Sequence, residues 1–205
     1  MPVEPSEADV IAMGRQAAKS KATQDKLVNA VIELINEKGF SAASSTQIAK
    51  KAGVTWGAVQ HHFGSKEEIL EEVLQRSHRR FHETLSAKRF TTGDAGKRVG
   101  KYVDAAWAHY QGKEYMATLD ILLATRASDH SAGDLAVGDS RDQHLALARR
   151  IFHDSDASDK TMGEAIYIVH CMLTGILVEG VLEPESFAEA TYIRHLKRII
   201  QDLLY

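Results

Sequence analysis

Residues 44–66 read SSTQIAKKAGVTWGAVQHHFGSK, and the fold follows from how that stretch punctuates itself. Ser44 stands three residues before Gln47, a hydroxyl-to-amide spacing that opens a short helix carrying Ile48 and Ala49 and stopping at Gly53. Thr55 then offers a second N-cap; Val59 and Phe63, four apart, must turn inward, which leaves Trp56, Gly57, Gln60 and His61 outward. Gly64 closes this second helix, and Gly53 sits in the turn between the two, where a positive φ is wanted. The result is the spacing of a helix-turn-helix.

Outward from this pair the periodicity stays helical. Upstream, Leu27, Val31, Leu34 and Ile35 share one face of a helix over 23–38 that Gly39 ends, with Phe40 as a core anchor. Downstream, Glu67 and Glu68 load the first turn of a long helix from Lys66 to about Lys88, whose stripe is Leu70, Leu74, Ser77, Phe81 and Leu85. Val99, Val103, Ala106 and Tyr110 define another helix, and Tyr115, Leu119, Leu122 and Arg126 continue the series. A loop is expected over 128–138, then a helix through Leu145, Ala148, Ile151 and Phe152, and an acidic loop over 154–159. Two apolar helices, 161–180 and 186–205, finish the chain. The expected fold is all-α, about nine helices, with a leader over 1–22, a three-helix head over 23–66 and a larger helical body over 67–205.

Composition is compatible with this and excludes other classes. The 205 residues are 44% hydrophobic and 26% charged with a net charge of −3 and only three prolines, so disordered and collagen-like chains are out. A single cysteine, Cys171, rules out an intrachain disulfide framework and reads as an inert buried thiol. The N-terminus lacks an apolar signal core, and the longest apolar run, Ala165 to Val178, is shorter than a bilayer needs, so a cytoplasmic protein without a membrane partner is expected. Charge is unevenly placed: Arg15 to Lys66 holds 8 basic and 3 acidic residues, a basic head on an acidic body.

The run from Ile48 to Leu70, with its Ala-Gly-Val turn, His-His-Phe ending and Ser-Lys-Glu start of the next helix, resembles the DNA-binding region of TetR-family transcriptional regulators, over about residues 24–74. The resemblance implies a dimeric repressor of a palindromic double-stranded DNA operator, released by a small-molecule effector, in a prokaryotic, nucleoid-associated setting. Ser44, Ser45, Gln47, Thr55, Trp56, Gly57, Gln60, His61 and Lys66 are the expected DNA contacts. Gln60 can pair with adenine in the major groove, and Trp56 either meets a thymine methyl or sugar-phosphate or packs on its neighbouring helix. Most family members have an aromatic, usually Tyr, where this chain has Gln60, which leaves the base preference open. Arg15, Lys19 and Lys21 of the leader either reach the DNA backbone or belong to a frayed lead-in.

The aromatic residues Phe81, Trp107, Tyr110, Tyr115 and Phe152, with Met116, form the expected effector pocket. Ile166, Val169, Leu173 and Ile176, with Ile193, Leu196, Ile200 and Leu203, form the expected dimer interface, because a helix apolar on most of its circumference must be covered on more than one side. A second stripe, Ile168, Cys171, Gly175 and Val178, runs beside the first.

No hydrolase, dinucleotide, Walker or H-E-x-x-H motif occurs, so no enzyme and no cofactor is expected. The Asp154, Asp156, Asp159 run lacks the glycine and bidentate Glu of a calcium loop and reads as solvated. Ten histidines invite a metal reading, but beyond His61 and His62 they look scattered singly, and no metal site is expected. The rival reading is a helical small-molecule binding protein or enzyme whose head no longer reads sequence.

Overall fold

The computed structural model describes residues 7–126, 138–183 and 188–205; the expected loop over 128–138 lies almost wholly outside them, as do Ser186 and Phe187. Among the described residues there are nine α-helices and no strand: α1 (Glu7–Lys38), α2 (Ser45–Ala52), α3 (Trp56–Phe63), α4 (Lys66–Leu85), α5 (Ala95–Tyr110), α6 (Lys113–Thr125), α7 (Gly138–Ile151), α8 (Asp159–Leu182) and α9 (Glu189–Leu204), with short 3-10 turns at Phe40–Ala42 and Lys88–Thr91. The all-α expectation therefore holds. The chain forms two compact units, Met1–Val73 with Ala117–Ala132 and Leu74–Met116 with Gly133–Tyr205, so the division falls within α4 and not at its start.

In the first unit, α1 begins at Glu7, well before the amphipathic pattern that starts at Thr23. The added turns are Ala-rich, so helix propensity continues the helix where periodicity gives no signal. Leu27, Val31, Leu34 and Ile35 of α1, Ile48 of α2 and Val59 of α3 are all at most 3% exposed and close the core over which α1, α2 and α3 meet.

The second unit is built around α8. Its Met162, Ala165, Val169, Leu173 and Ile176 are buried, packed with α5, α7 and α9. Val99, Val103, Ala106 and Tyr110 of α5 and Ile193, Leu196, Ile200 and Leu204 of α9 complete this core. Ser158 caps α8 by accepting from the Thr161 N–H at 3.1 Å, and Asp94 caps α5 by accepting from Lys97 N–H at 2.8 Å. From Ala117 onward α6 belongs to the first unit, and its buried residues there are Ala117 and Ile121, not the expected Leu119, Leu122 and Arg126 line. That helix is apolar on several sides, and periodicity alone does not choose among them.

By length and composition α8 could cross a membrane. Its neighbours argue against a lipid setting: α5 carries Lys97, Lys101 and Asp104 and α9 carries Arg194, Lys197, Arg198 and Asp202. Each such charge at bilayer depth costs about 2.5–3.5 kcal/mol.

The acidic loop is also more engaged than a solvated reading allows. Asp154 accepts from buried Arg98 and from Tyr205 Oη at 2.7 Å, while Arg98 also donates to Tyr205 Oη at 3.0 Å and to Gly93 O. Arg149 Nε reaches Asp159 at 2.7 Å. The Tyr205 and Arg98 hydrogen bonds hold the Asp154 carboxyl below its ordinary range. A carboxylate with a depressed folded pKa stabilises the fold above its unfolded value, and that stabilisation is lost as pH falls through the folded one. Asp154→Asn is therefore expected to lower the urea midpoint at pH 7, with the difference from the parent closing as pH falls below about 3.8. An undiminished difference at pH 2 would place the effect elsewhere than in the ionised carboxylate.

Candidate nucleic-acid interface and ligand region

The helix-turn-helix forms as its punctuation directs. Ser44 Oγ accepts from the Gln47 N–H at 3.4 Å and Thr55 Oγ1 from the Ala58 N–H at 3.3 Å. Gly53 ends α2 at φ 69°, ψ 32°, its N–H bonded to Ala49 and Lys50 carbonyls, and the Val54 N–H returns to Ala49 O at 3.0 Å. Val59 is fully buried, which turns the opposite side of α3 outward: Gly57, Gln60 and His61 are exposed and Trp56 is half-buried. Ser44, Gln47 and Thr55 are also exposed and Ser45 is half-buried, so the two helix N-termini and the outer side of α3 are accessible surface of one unit.

Three contacts were not legible in the sequence. His62 faces α1: its Nδ1 lies 3.4 Å from Ser20 Oγ, and Gln24 Nε2 donates to its carbonyl at 3.5 Å, so it anchors α3 while neighbouring His61 stays outward. Lys51 is claimed by two acids of α1, 2.8 Å from Glu37 and 3.1 Å from Glu33, which hold its ammonium above the usual range. Lys66 Nζ sits 4.9 Å over the Phe40 ring, its charge fixed at the start of α4. The basic head thus has fewer mobile charges than a count suggests. Nothing but long-range packing distinguishes Lys51 from Lys50.

In the second unit the expected ligand residues divide. Tyr110 and Tyr115 stack at 3.9 Å between ring centroids. Tyr110 Oη lies 2.7 Å from His170 Nδ1 and Tyr115 Oη 3.1 Å from Thr174 Oγ1, so α8 supplies both polar partners. His109 bonds Ser77 Oγ through Nε2 at 3.2 Å and brings Phe81 (5.1 Å) and Tyr115 (5.7 Å) around its ring. Burial, then the neighbouring His78 and Arg80, push the His109 pKa down to about 4, and burial raises the Tyr110 phenol well above the usual value. Phe152 is elsewhere, edge-on to Tyr102 at 5.4 Å in the core, and Trp107 is a half-buried flank of that core. Met116 is half-buried.

The expected dimer residues are placed differently from the sequence reading. Val169, Leu173, Ile176, Ile193, Leu196 and Ile200 lie within the chain's own core, with Ile166 and Leu203 packed against it. Of the second stripe, Ile168 packs against that core, whereas Cys171 is exposed, not buried, as are Tyr167 and Val178, with Val181 and Leu182 65% and 68% exposed beyond them. Tyr192 and Ile199 of α9 are exposed as well.

The histidines likewise depart from expectation. His78 and His82 of α4 and His144 of α7 converge, with ring centroids 4.4, 4.9 and 4.7 Å apart. Burial, followed by His78 and Arg150, lowers the His82 pKa to about 4, and burial, followed by Arg79, lowers that of His78.

An exposed, capped second helix on a three-helix scaffold defines the chain as a helix-turn-helix protein. Residues 27–73 match the profile of bacterial regulatory proteins, tetR family. The regulator BetI of Vibrio parahaemolyticus is 34% identical over 94 residues, 45% of this chain and 47% of that protein, so the chain matches about half the length of this curated relative. A transcriptional regulator from Rhodococcus superposes with a TM-score of 0.67 at 19% identity, over 88% of this chain and 95% of the other. The multidrug binding protein EbrR, complexed with imidazole, superposes with a TM-score of 0.63 at 16% identity, over 89% and 94%. Over residues 27–73 the chain is thus similar to the bacterial regulatory proteins of the tetR family.

Gly53 tests the local geometry. A Cβ there would meet nothing within 4 Å, so the cost of Gly53→Ala is conformational only, about 1–2 kcal/mol for an L-residue held left-handed. Urea titration should read that loss in the first unit, and an unchanged midpoint would mean that the turn tolerates another backbone conformation.

Proposed function

We propose that the chain is a transcriptional regulator, not an enzyme, that binds a palindromic operator as a homodimer and is released by a small-molecule effector in the bacterial cytoplasm. The observation that carries this reading is the outward side of α3, with Gly57, Gln60 and His61 exposed and Val59 buried beneath them, in the segment that matches the family profile. A major groove admits one α-helix, and a helix in it meets base edges through its N-terminal turns. In this reading Gln60 and Trp56 face bases. Ser44, Ser45, Gln47, Thr55, Gly57, His61 and Lys66 meet backbone phosphates, aided by the first-turn N–H groups of α2 and α3.

One such head has a small footprint, and linking two on a two-fold axis raises avidity by about 10² to 10⁴. The uncovered stripe of α8, running from Tyr167 to Leu182, together with Tyr192 and Ile199 of α9, supplies the face for that association. Large apolar side chains left exposed on two helices are what an isologous helix-helix interface buries. This assigns the dimer contact to residues adjacent to those that periodicity selects.

For the effector, Tyr110, Tyr115 and Phe81 around His109 offer aromatic walls with hydroxyl and imidazole handles. That EbrR, of the same fold, is a multidrug binding protein supports a ligand role for this body of the chain. Release requires only that the effector favour the state that does not fit the operator.

Selection of duplexes from a random pool at about 150 mM salt, where phosphate contacts alone bind weakly, is expected to enrich a palindrome with half-sites one helical turn or more apart. No enrichment by folded dimer would overturn the operator reading in favour of a ligand-binding protein with a silent head. On the enriched site, Gln60→Ala should weaken binding by about 1–3 kcal/mol and relax the preference at one position per half-site; parental affinity would remove Gln60 as a base reader. Val178→Asp should halve the mass measured by light scattering and lower operator affinity at least tenfold, whereas a dimer of undiminished stability would exclude the α8 stripe.

A further inference from the structure

Three histidines from two separate stretches of the chain share one place in the second unit. His78 and His82 are an i, i+4 pair on α4, and neighbours at that spacing rise from the same side of a helix. His144 comes from α7, and one ring nitrogen from each of the three lies within 4.8 Å of the others. Nε2 of His78 and Nε2 of His82 are buried and meet no hydrogen-bond partner among the described residues. Two buried, unsatisfied imidazole nitrogens side by side are costly unless a shared group takes both lone pairs. Phe81, 5.5 Å from His144 and 6.3 Å from His82, walls the cluster with an apolar ring that limits water.

We propose that His78, His82 and His144 form a site for a divalent transition-metal ion. Three imidazoles without a thiolate select zinc, cobalt, nickel or copper over magnesium or calcium, which require oxygen donors. Tetrahedral zinc at about 2.0–2.1 Å from each nitrogen sets the nitrogens about 3.3 Å apart, so binding requires the three rings to rotate inward by roughly an ångström. A three-histidine set leaves a fourth position for water or an exogenous donor. Arg79 and Arg150, whose charges act on His78 and His82, weaken the site relative to a structural zinc centre and suit it to reversible occupancy. The proposal concerns the second unit alone and stands whether or not α3 reads DNA.

The full chain, stripped with a chelator, is titrated with Co²⁺ and then Zn²⁺. One equivalent per chain is expected, with a visible cobalt band of four-coordinate intensity that zinc abolishes. His82→Gln and His144→Gln, each verified by far-UV circular dichroism, should weaken zinc at least about tenfold, while His153→Gln binds as the parent does. Because a substitution at a half-buried position can disturb folding, long-range ¹H–¹⁵N spectra of the unmodified chain supply the second readout. Zinc should shift the ring nitrogens of three histidines in the second unit. Absence of saturable binding below about 100 µM, parental affinity in both folded variants, or shifts confined to exposed histidines such as His61 and His153 would each overturn the site.

Discussion

Burial of one stripe of α8, Met162 through Ile176, is the constraint from which the second unit follows. A 24-residue helix this apolar has more hydrophobic surface than one neighbour hides, and α5, α7 and α9 pack on the side that holds Val169 and Leu173. At about 25 cal/mol per Å² of apolar area, that choice of side contributes heavily to the stability of the unit. It also sets what else α8 presents. His170 and Thr174 meet the hydroxyls of Tyr110 and Tyr115, and the stripe of Tyr167, Cys171 and Val178 is left uncovered. Core, tyrosine hydrogen bonds and exposed apolar surface are thus three consequences of one rotation of one helix.

The first unit depends on smaller and more local interactions. Two hydroxyl caps and one left-handed glycine set where α2 ends and α3 begins, each worth on the order of 1 kcal/mol. With ends so defined, Val59 must be inward and Gln60 outward, since adjacent helical residues point about 100° apart. Electrostatics then refine the surface. Lys51 is bound to Glu33 and Glu37 and Lys66 lies on Phe40, so the positive field is carried by fewer free side chains than the composition implies.

Buried polar groups differ in how fully they are satisfied. Arg98, Asp154 and Tyr205 form a hydrogen-bonded network that ties the start of α5 to the end of the chain. His78 and His82 each keep a buried Nε2 without a hydrogen-bond partner among the described residues, and burial is the chief cause of the low pKa values at His82 and His109. Even Arg98, which donates through both Nη atoms, leaves its buried Nε without a partner among the described residues, and each such group is costly.

The sequence by itself determined the helical class, the helix-turn-helix with its caps and glycine turn, and the inward stripes of α1, α4 and α5. These are local: a cap spans three residues and a stripe repeats every three or four, so neighbouring positions carry the information. Which of two apolar stripes on α8 is core, which lysine is neutralised, that Phe152 sits with Tyr102, and that His78, His82 and His144 meet were decided only by the tertiary structure. Those facts join residues from different helices, and His82 and His144 are 62 positions apart in a chain whose periodicity is silent about them. Periodicity shows that a side is apolar; which neighbour covers it depends on how the helices pack.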